Sequence, residues 1–184
     1  DVSGVLASPE WAEAHDREWT DGQTITAAIG QSYNAFTPLQ LANYVATLVS
    51  GGEHYAAHLL KSVKSYDNSR LIYNYDEKPL NDMNISDSTM AAVTKGMHDL
   101  THDSLTSAFS RCMVEAGAKT GSAQVGTDIA NGVFVAYAPY EDPEIAVAIV
   151  VEKGGSGSLL ANAAVDIINA WFSRGSSSVT TGEN

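Results

Sequence analysis

Four consecutive residues carry the sharpest chemical signal in the chain. Lys119-Thr120-Gly121-Ser122 sets an ammonium beside two hydroxyls and a glycine, with small neighbours in Ala116, Gly117, Ala118 and Ala123. On a strand, alternation sends Lys119 and Gly121 to one face and Thr120 and Ser122 to the other. A cation next to hydroxyl donors suits recognition of a carboxylate, and a strand glycine often marks close approach by a ligand or another backbone. An edge strand with an ordinary solvated lysine would give the same four residues. A second signal is His98-Asp99-Leu100-Thr101-His102, two imidazoles one helical turn apart. It echoes the His-Glu-x-x-His zinc helix with Asp in place of Glu. The same spacing recurs at His54 and His58, the shorter Asp would hold a general base farther from a metal-bound water, and no third ligand is visible in the sequence. A metal-dependent hydrolase is therefore the weakest of the functional readings, and no metal site or cofactor is expected. Gly154-Gly155-Ser156-Gly157-Ser158 joins a strand to a helix. Helix amides there could hold an anion, but the segment lacks the Gly-Lys-Ser/Thr ending of a nucleotide-binding loop. It is expected to be a flexible connection bordering a site.

These residues need elements to hold them. Ser8-Pro9-Glu10 starts a helix, with Ser8 as cap and Pro9 in the first turn. Thr37-Pro38-Leu39-Gln40 is a capping box, and Leu41, Val45, Leu48 and Val49 then form one apolar face, so a helix is expected over 38–50 before Gly51-Gly52 stops it. Residues 58–76 read as a hairpin, with Leu59–Val63 and Arg70–Tyr73 flanking a turn at Tyr66–Ser69. Ser86 caps a helix whose stripe is Met90, Val93, Met97 and Leu100. From residue 116 onward strands dominate: 116–125, 133–137 and 145–151, the last two nearly all apolar, as in a sheet covered on both faces. The two prolines of Pro139–Pro143 place a turn between them. A final helix is expected from Ser158, burying Leu160, Ala164, Ile167, Ile168 and Trp171, with a flexible tail over 176–184. Helices, three strands and a helix in that order favour an antiparallel α+β fold.

Composition narrows the partners. The 184 residues suit one domain of about 100–200 residues. With 10 basic and 22 acidic residues the net charge is −12, and nucleic acid is excluded for want of a basic patch. Cys112 alone forms neither an internal disulfide nor a cysteine zinc site, and it is expected to pack as a small apolar residue. No signal peptide or apolar span is visible. The first residue is Asp1, so the chain is expected to begin after processing or in mid-sequence.

Lys-Thr-Gly-Ser is also one of three signature boxes of the penicillin-interacting serine acyltransferases. Here Ala123-Gln124, Gly132–Pro139 and Pro143–Glu152 follow it, and Ile29-Gly30-Gln31-Ser32-Tyr33-Asn34 and Thr37-Pro38-Leu39-Gln40-Leu41 precede it. Over roughly residues 15–173 the chain resembles the C-terminal half of the transpeptidase domain of class B penicillin-binding proteins. The Gly-Gln-x-Tyr-Asn segment separates it from the serine β-lactamases. Two of the family's boxes are not matched. No lysine has a serine three residues before it, so the Ser-x-x-Lys nucleophile is missing. The formal Ser-x-Asn at Ser32-Tyr33-Asn34 belongs to the Gly-Gln-x-Tyr-Asn segment.

The resemblance implies the second half of a catalytic domain, spanning 1–175 here, whose antiparallel sheet has helices on both faces. It implies a D,D-transpeptidase acting on peptidoglycan stem peptides through a serine acyl-enzyme and acylated by β-lactams. Lys119 would then tune the proton network, Thr120 and Ser122 would bind the terminal carboxylate, Gly121 would lie in the same binding strand, and the Ser122 amide would be an oxyanion-hole donor worth about 3–4 kcal/mol. Implied partners are the N-terminal half of the same domain, stem peptides, β-lactams and cell-wall assembly proteins. The implied place is the extracytoplasmic face of the bacterial membrane, with an upstream anchor. Alone, the chain would expose a strand edge and apolar helix faces and would tend to self-associate. A non-catalytic peptide-binding or scaffolding module is the alternative.

Overall fold

The computed structural model describes residues 2–126 and 129–174; the tail at 176–184 lies outside them. Two small N-terminal helices, α1 (Pro9–Ala14) and α2 (Asp21–Ala28), come first, each begun by a hydroxyl cap: Ser8 accepts from the Trp11 amide and Thr20 from the Gln23 amide. Helix α2, which the polar 1–30 stretch had not declared, buries none of its residues. Helix α3 (Pro38–Val49) starts at the expected capping box: Thr37 accepts from the Gln40 amide while the Gln40 side chain accepts from the Thr37 amide.

After α3 the chain leaves the body through a clasp. Strand β1 (Glu53–His54) pairs with β4 (Asn81–Asp82), and the Met83 amide donates to the Gly52 carbonyl. Between these lies the hairpin of β2 (Ser62–Lys64) and β3 (Leu71–Asn74), paired with a bulge between Val63 and Lys64. It is shorter than the expected 58–76. Among the described residues no second layer covers it, so every β3 residue is exposed and Leu59 stands fully in solvent outside the strand. Asp67 pins its turn, accepting from the Ser65 and Ser69 hydroxyls and the Ser69 amide, and these bonds hold its carboxyl down to about 2.

Helix α4 (Asp87–His102), capped by Ser86, and the short α5 (Thr106–Phe109) lead into the main sheet. Its strands β5 (Gly117–Ala123), β6 (Asn131–Ala138) and β7 (Ile145–Val151) run antiparallel in the order β5-β6-β7. Strand β5 is shorter than the expected 116–125. A 3-10 turn (Gly157–Leu160) then passes into α6 (Ala161–Ser173), so the α-helix itself begins three residues after Ser158.

Strand β6 explains the layering. Phe134, Ala136 and Ala138 enter a core with α5 and α6, whereas Val135 and Tyr137 face α3 and α4 beside Val45, Leu48 and Met97. The sheet is thus covered on both faces, and the fold is α+β with the expected antiparallel sheet. The helix faces are rotated from expectation. In α6 the buried stripe is Ala161, Ala164, Val165 and Ile168, while Ile167 and Trp171 are partly exposed. In α4 Met97 and Thr101 are buried and Val93 faces solvent, because the Thr101 hydroxyl donates to the Ala116 carbonyl at the start of β5. Cys112 is half-buried against the α5–α6 core, and burial pushes its thiol pKa up.

Candidate functional site

Strand β5 is an edge strand of its sheet among the described residues. Its register sets Lys119 opposite Val135, Thr120 opposite Phe134, Gly121 opposite Val133 and Ser122 opposite Gly132. Cross-strand partners share a face, so Lys119 stands on the α3–α4 side and Thr120 on the α5–α6 side, as alternation predicts. Lys119 is exposed, and its Nζ bends back to donate to the Thr120 carbonyl at 2.7 Å. The Ser122 carbonyl receives Nε2 of Gln31 at 3.4 Å.

These two contacts orient the backbone. The carbonyls of Thr120 and Ser122 take side-chain donors at the open edge. In an antiparallel ladder a residue's N–H and C=O point to the same side, so the Ser122 amide is also turned outward. The edge therefore presents an ammonium, two hydroxyls and an outward amide within one four-residue stretch. That is a donor set for an anion with developing charge next to it.

Two supports of this stretch are visible only in three dimensions. The Gly30–Asn34 loop delivers Gln31 to the strand. Its Asn34 is spent on structure: Oδ1 accepts from the Ala7 amide, and Nδ2 donates to the Ala27 and Gln31 carbonyls. Ser32, in the left-handed region at φ 65°, donates to Oε1 of Gln23. Ser32 and Asn34 thus hold a turn, consistent with the formal Ser-x-Asn match being coincidental. Gly157, at the head of the 3-10 turn, lies against the back of the site. A Cβ there would press into the Gly121 and Val133 carbonyls and come within 2.9 Å of the Gly121 nitrogen. Gly121 has room on its own side, since its added Cβ would meet Val133 at 3.4 Å. Of Gly121 and Gly157 the crowded one is Gly157, and the Gly154–Ser158 connection does border the strand.

The other histidine signals separate. His54 hydrogen-bonds Asn43 at 3.0 Å and His58 stacks on Tyr75 at 3.5 Å, so they do not act as a pair. His98 and His102 do converge, and Glu115 joins them from the segment entering β5.

An antiparallel sheet between helical layers, with Lys-Thr-Gly-Ser on an edge strand, is the arrangement that the resemblance to the penicillin-interacting proteins implies. Residues 4–169 match the family model described as the penicillin binding protein transpeptidase domain, and the chain belongs to that family. It is similar to penicillin-binding protein 2B of Streptococcus pneumoniae, 34% identical over 84% of this chain and 25% of the relative. It is similar also to the peptidoglycan D,D-transpeptidase MrdA of Acinetobacter baumannii, 27% identical over 92% of this chain and 27% of the relative. Both are class B penicillin-binding proteins. Among solved structures, penicillin-binding protein A from M. tuberculosis, determined as an imipenem acyl-enzyme complex, superposes with a TM-score of 0.71 at 28% identity, covering 80% of this chain and 33% of that one. The chain spans about a quarter of the length of the curated relatives it matches. Among its described residues, no helix is long and apolar enough to cross a membrane.

Proposed function

We propose that this chain supplies the carboxylate-binding and oxyanion wall of a serine D,D-transpeptidase that cross-links peptidoglycan stem peptides. The observation that carries the reading is the open edge at Lys119–Ser122, with the Ser122 amide turned outward, on a chain of this family. Thr120 and Ser122 bind the terminal carboxylate of the donor peptide or of a β-lactam, Lys119 holds the positive field beside it, and Gly121 keeps the strand slim. The Ser122 amide takes the negative charge of the tetrahedral intermediate. The nucleophile comes from a Ser-x-x-Lys segment outside these 184 residues, since none of the six lysines has a serine three positions before it.

The serine oxygen bonds to the peptide carbonyl carbon, the bond to the terminal D-Ala breaks, and that amine leaves with a proton. An amine of a second stem then attacks the acyl-enzyme and regenerates the serine. The acyl-enzyme of the M. tuberculosis relative supports a covalent intermediate of this kind. Residues 1–175 form part of the transpeptidase domain. The domain works at the extracytoplasmic face of the membrane, anchored through an upstream segment, together with cell-wall assembly proteins. Helix α2, which buries no residue, and the unpaired edge of β5 support contact with that remaining half.

Labelling with a fluorescent penicillin, read by intact mass, tests this. The expected adduct forms when the chain is joined to the segment bearing Ser-x-x-Lys, and is lost from the Lys119→Ala variant and from the chain alone. An adduct on the isolated chain would refute the divided site. No adduct on the joined protein would refute acyl transfer and leave a peptide-binding module.

A further inference from the structure

We infer that His98, His102 and Glu115 form a structural zinc site that cross-links helix α4 to the segment entering the Lys119 strand. One carboxylate oxygen, Oε2 of Glu115, lies 3.2 Å from Nε2 of His98 and 2.9 Å from Nε2 of His102. The three residues offer donor atoms that all lie within 4.8 Å of one another. Atoms bound to zinc at about 2.0–2.1 Å in tetrahedral directions stand about 3.3 Å apart. The two imidazole–carboxylate spacings are close to that edge length.

The placement of His102 strengthens the assignment. Its Nδ1 lies 3.1 Å from the His98 carbonyl, and its Nε2 faces the Glu115 carboxylate at 2.9 Å. A backbone carbonyl on Nδ1 is the arrangement that commits Nε2 of a histidine to a metal. His98 is oriented by a tilted ring contact with Tyr140, at 4.2 Å between centroids, and the Tyr140 amide donates to the Glu115 carbonyl at 2.8 Å. Two imidazoles and a carboxylate are a zinc set. A cleft of about 350 Å³, lined by His102, Glu115 and Cys112 among others, opens beside these donors.

The site lies away from the proposed acyl-transfer chemistry. Glu115 is four residues before Lys119, about 13 Å along an extended strand. The metal would fasten two elements already joined by the Thr101–Ala116 hydrogen bond, and so fix where β5 begins.

The test compares the full-length protein with its His102→Ala and Glu115→Gln variants, both changes on side chains at least half exposed. Each is stripped with a chelator, and zinc uptake is measured by elemental analysis and by competition with a chromogenic chelator. The wild type is expected to hold one more equivalent of Zn2+ than either variant, and Zn2+ is expected to raise its Tm by a margin that both variants lose. Penicillin labelling of the variants reports separately on the acyl-transfer site and is expected to persist. Equal zinc content in all three proteins, or an equal thermal shift, would overturn the site and leave a shared proton between Glu115 and the histidines.

Discussion

Replacing Gly157 with alanine would drive a methyl into the back of the Lys119 strand. The new Cβ would stand 2.9 Å from the Gly121 nitrogen and closer still to the Gly121 and Val133 carbonyl oxygens. Comfortable separations for a methyl carbon are about 3.5 Å or more, so either the 3-10 turn or the strand must retreat by roughly 1 Å. The three nearest obstacles are all backbone atoms, so no side chain can swing away from them. Overpacking of this kind costs about 1–3 kcal/mol of stability. Its effect on chemistry is larger, because Gly121 precedes the amide of Ser122. Oxyanion donors act over about 2.7–3.1 Å, and a misplacement near 1 Å can cost about 100-fold in rate. The expected result for Gly157→Ala in the full-length protein is a penicillin acylation rate down about 100-fold, with a measurable fall in Tm. Gly96→Ala is the control, since its Cβ meets nothing within 4 Å. Acylation at the wild-type rate with an unchanged Tm would show that the turn does not position the strand.

Other substitutions separate local from tertiary contributions. Thr37→Ala removes half of the capping box on α3 and is expected to cost about 1 kcal/mol in urea unfolding; no change would mean that α3 is held by packing alone. Thr120→Val keeps the strand and removes one carboxylate donor, so penicillin acylation is expected to fall about 10- to 100-fold, the worth of a hydrogen bond to a charged group. Tyr137→Phe deletes a buried hydroxyl with no hydrogen-bond partner and is expected to stabilise by about 1 kcal/mol at neutral pH; a loss of stability would refute the assignment. The same phenol is pushed up to about 12 by burial. Above pH of about 10 the unfolded chain releases this proton while the folded protein keeps it, so the folded state loses stability as pH rises from about 10 towards 12. Urea midpoints measured across that range should fall less steeply in Tyr137→Phe.

The elements legible in the sequence are those whose cause is local. Thr37 and Gln40 satisfy each other across one turn, and the apolar runs of β6 and β7 admit little besides a strand buried on both faces. The lysine box was legible because its four residues are contiguous. Helix α6 is apolar on more than one face, so periodicity alone did not decide whether Ile167 or Val165 points inward; the small residues Ala161 and Ala164 against the sheet decided it. Helix α2 has no buried residue and so leaves no hydrophobic stripe to read. The supports of the site were hidden for a different reason. Gln31 reaches Ser122 from 91 residues away, and Gly157 reaches Gly121 only once the sheet has formed. Glu115 becomes a neighbour of His98 and His102 through the packing of α4 on β5, a contact that carries no spacing signature.

The β1–β4 clasp gives the hairpin beyond it unusual freedom. Its ends are fixed at Glu53↔Asp82 and His54↔Asn81, so everything between leaves and returns at one point on the body. Lengthening such a closed excursion costs only about 0.6 kcal/mol for each doubling of its length. The clasp is itself held on α3, where Asn43 bonds His54 and donates to the Tyr55 carbonyl, so a change at the hairpin tip lies beyond that anchor. The Tyr66–Ser69 turn is consequently a handle: a fluorophore, an affinity tag or a whole guest domain placed there would ride outside the sheet and leave the Lys119 edge clear.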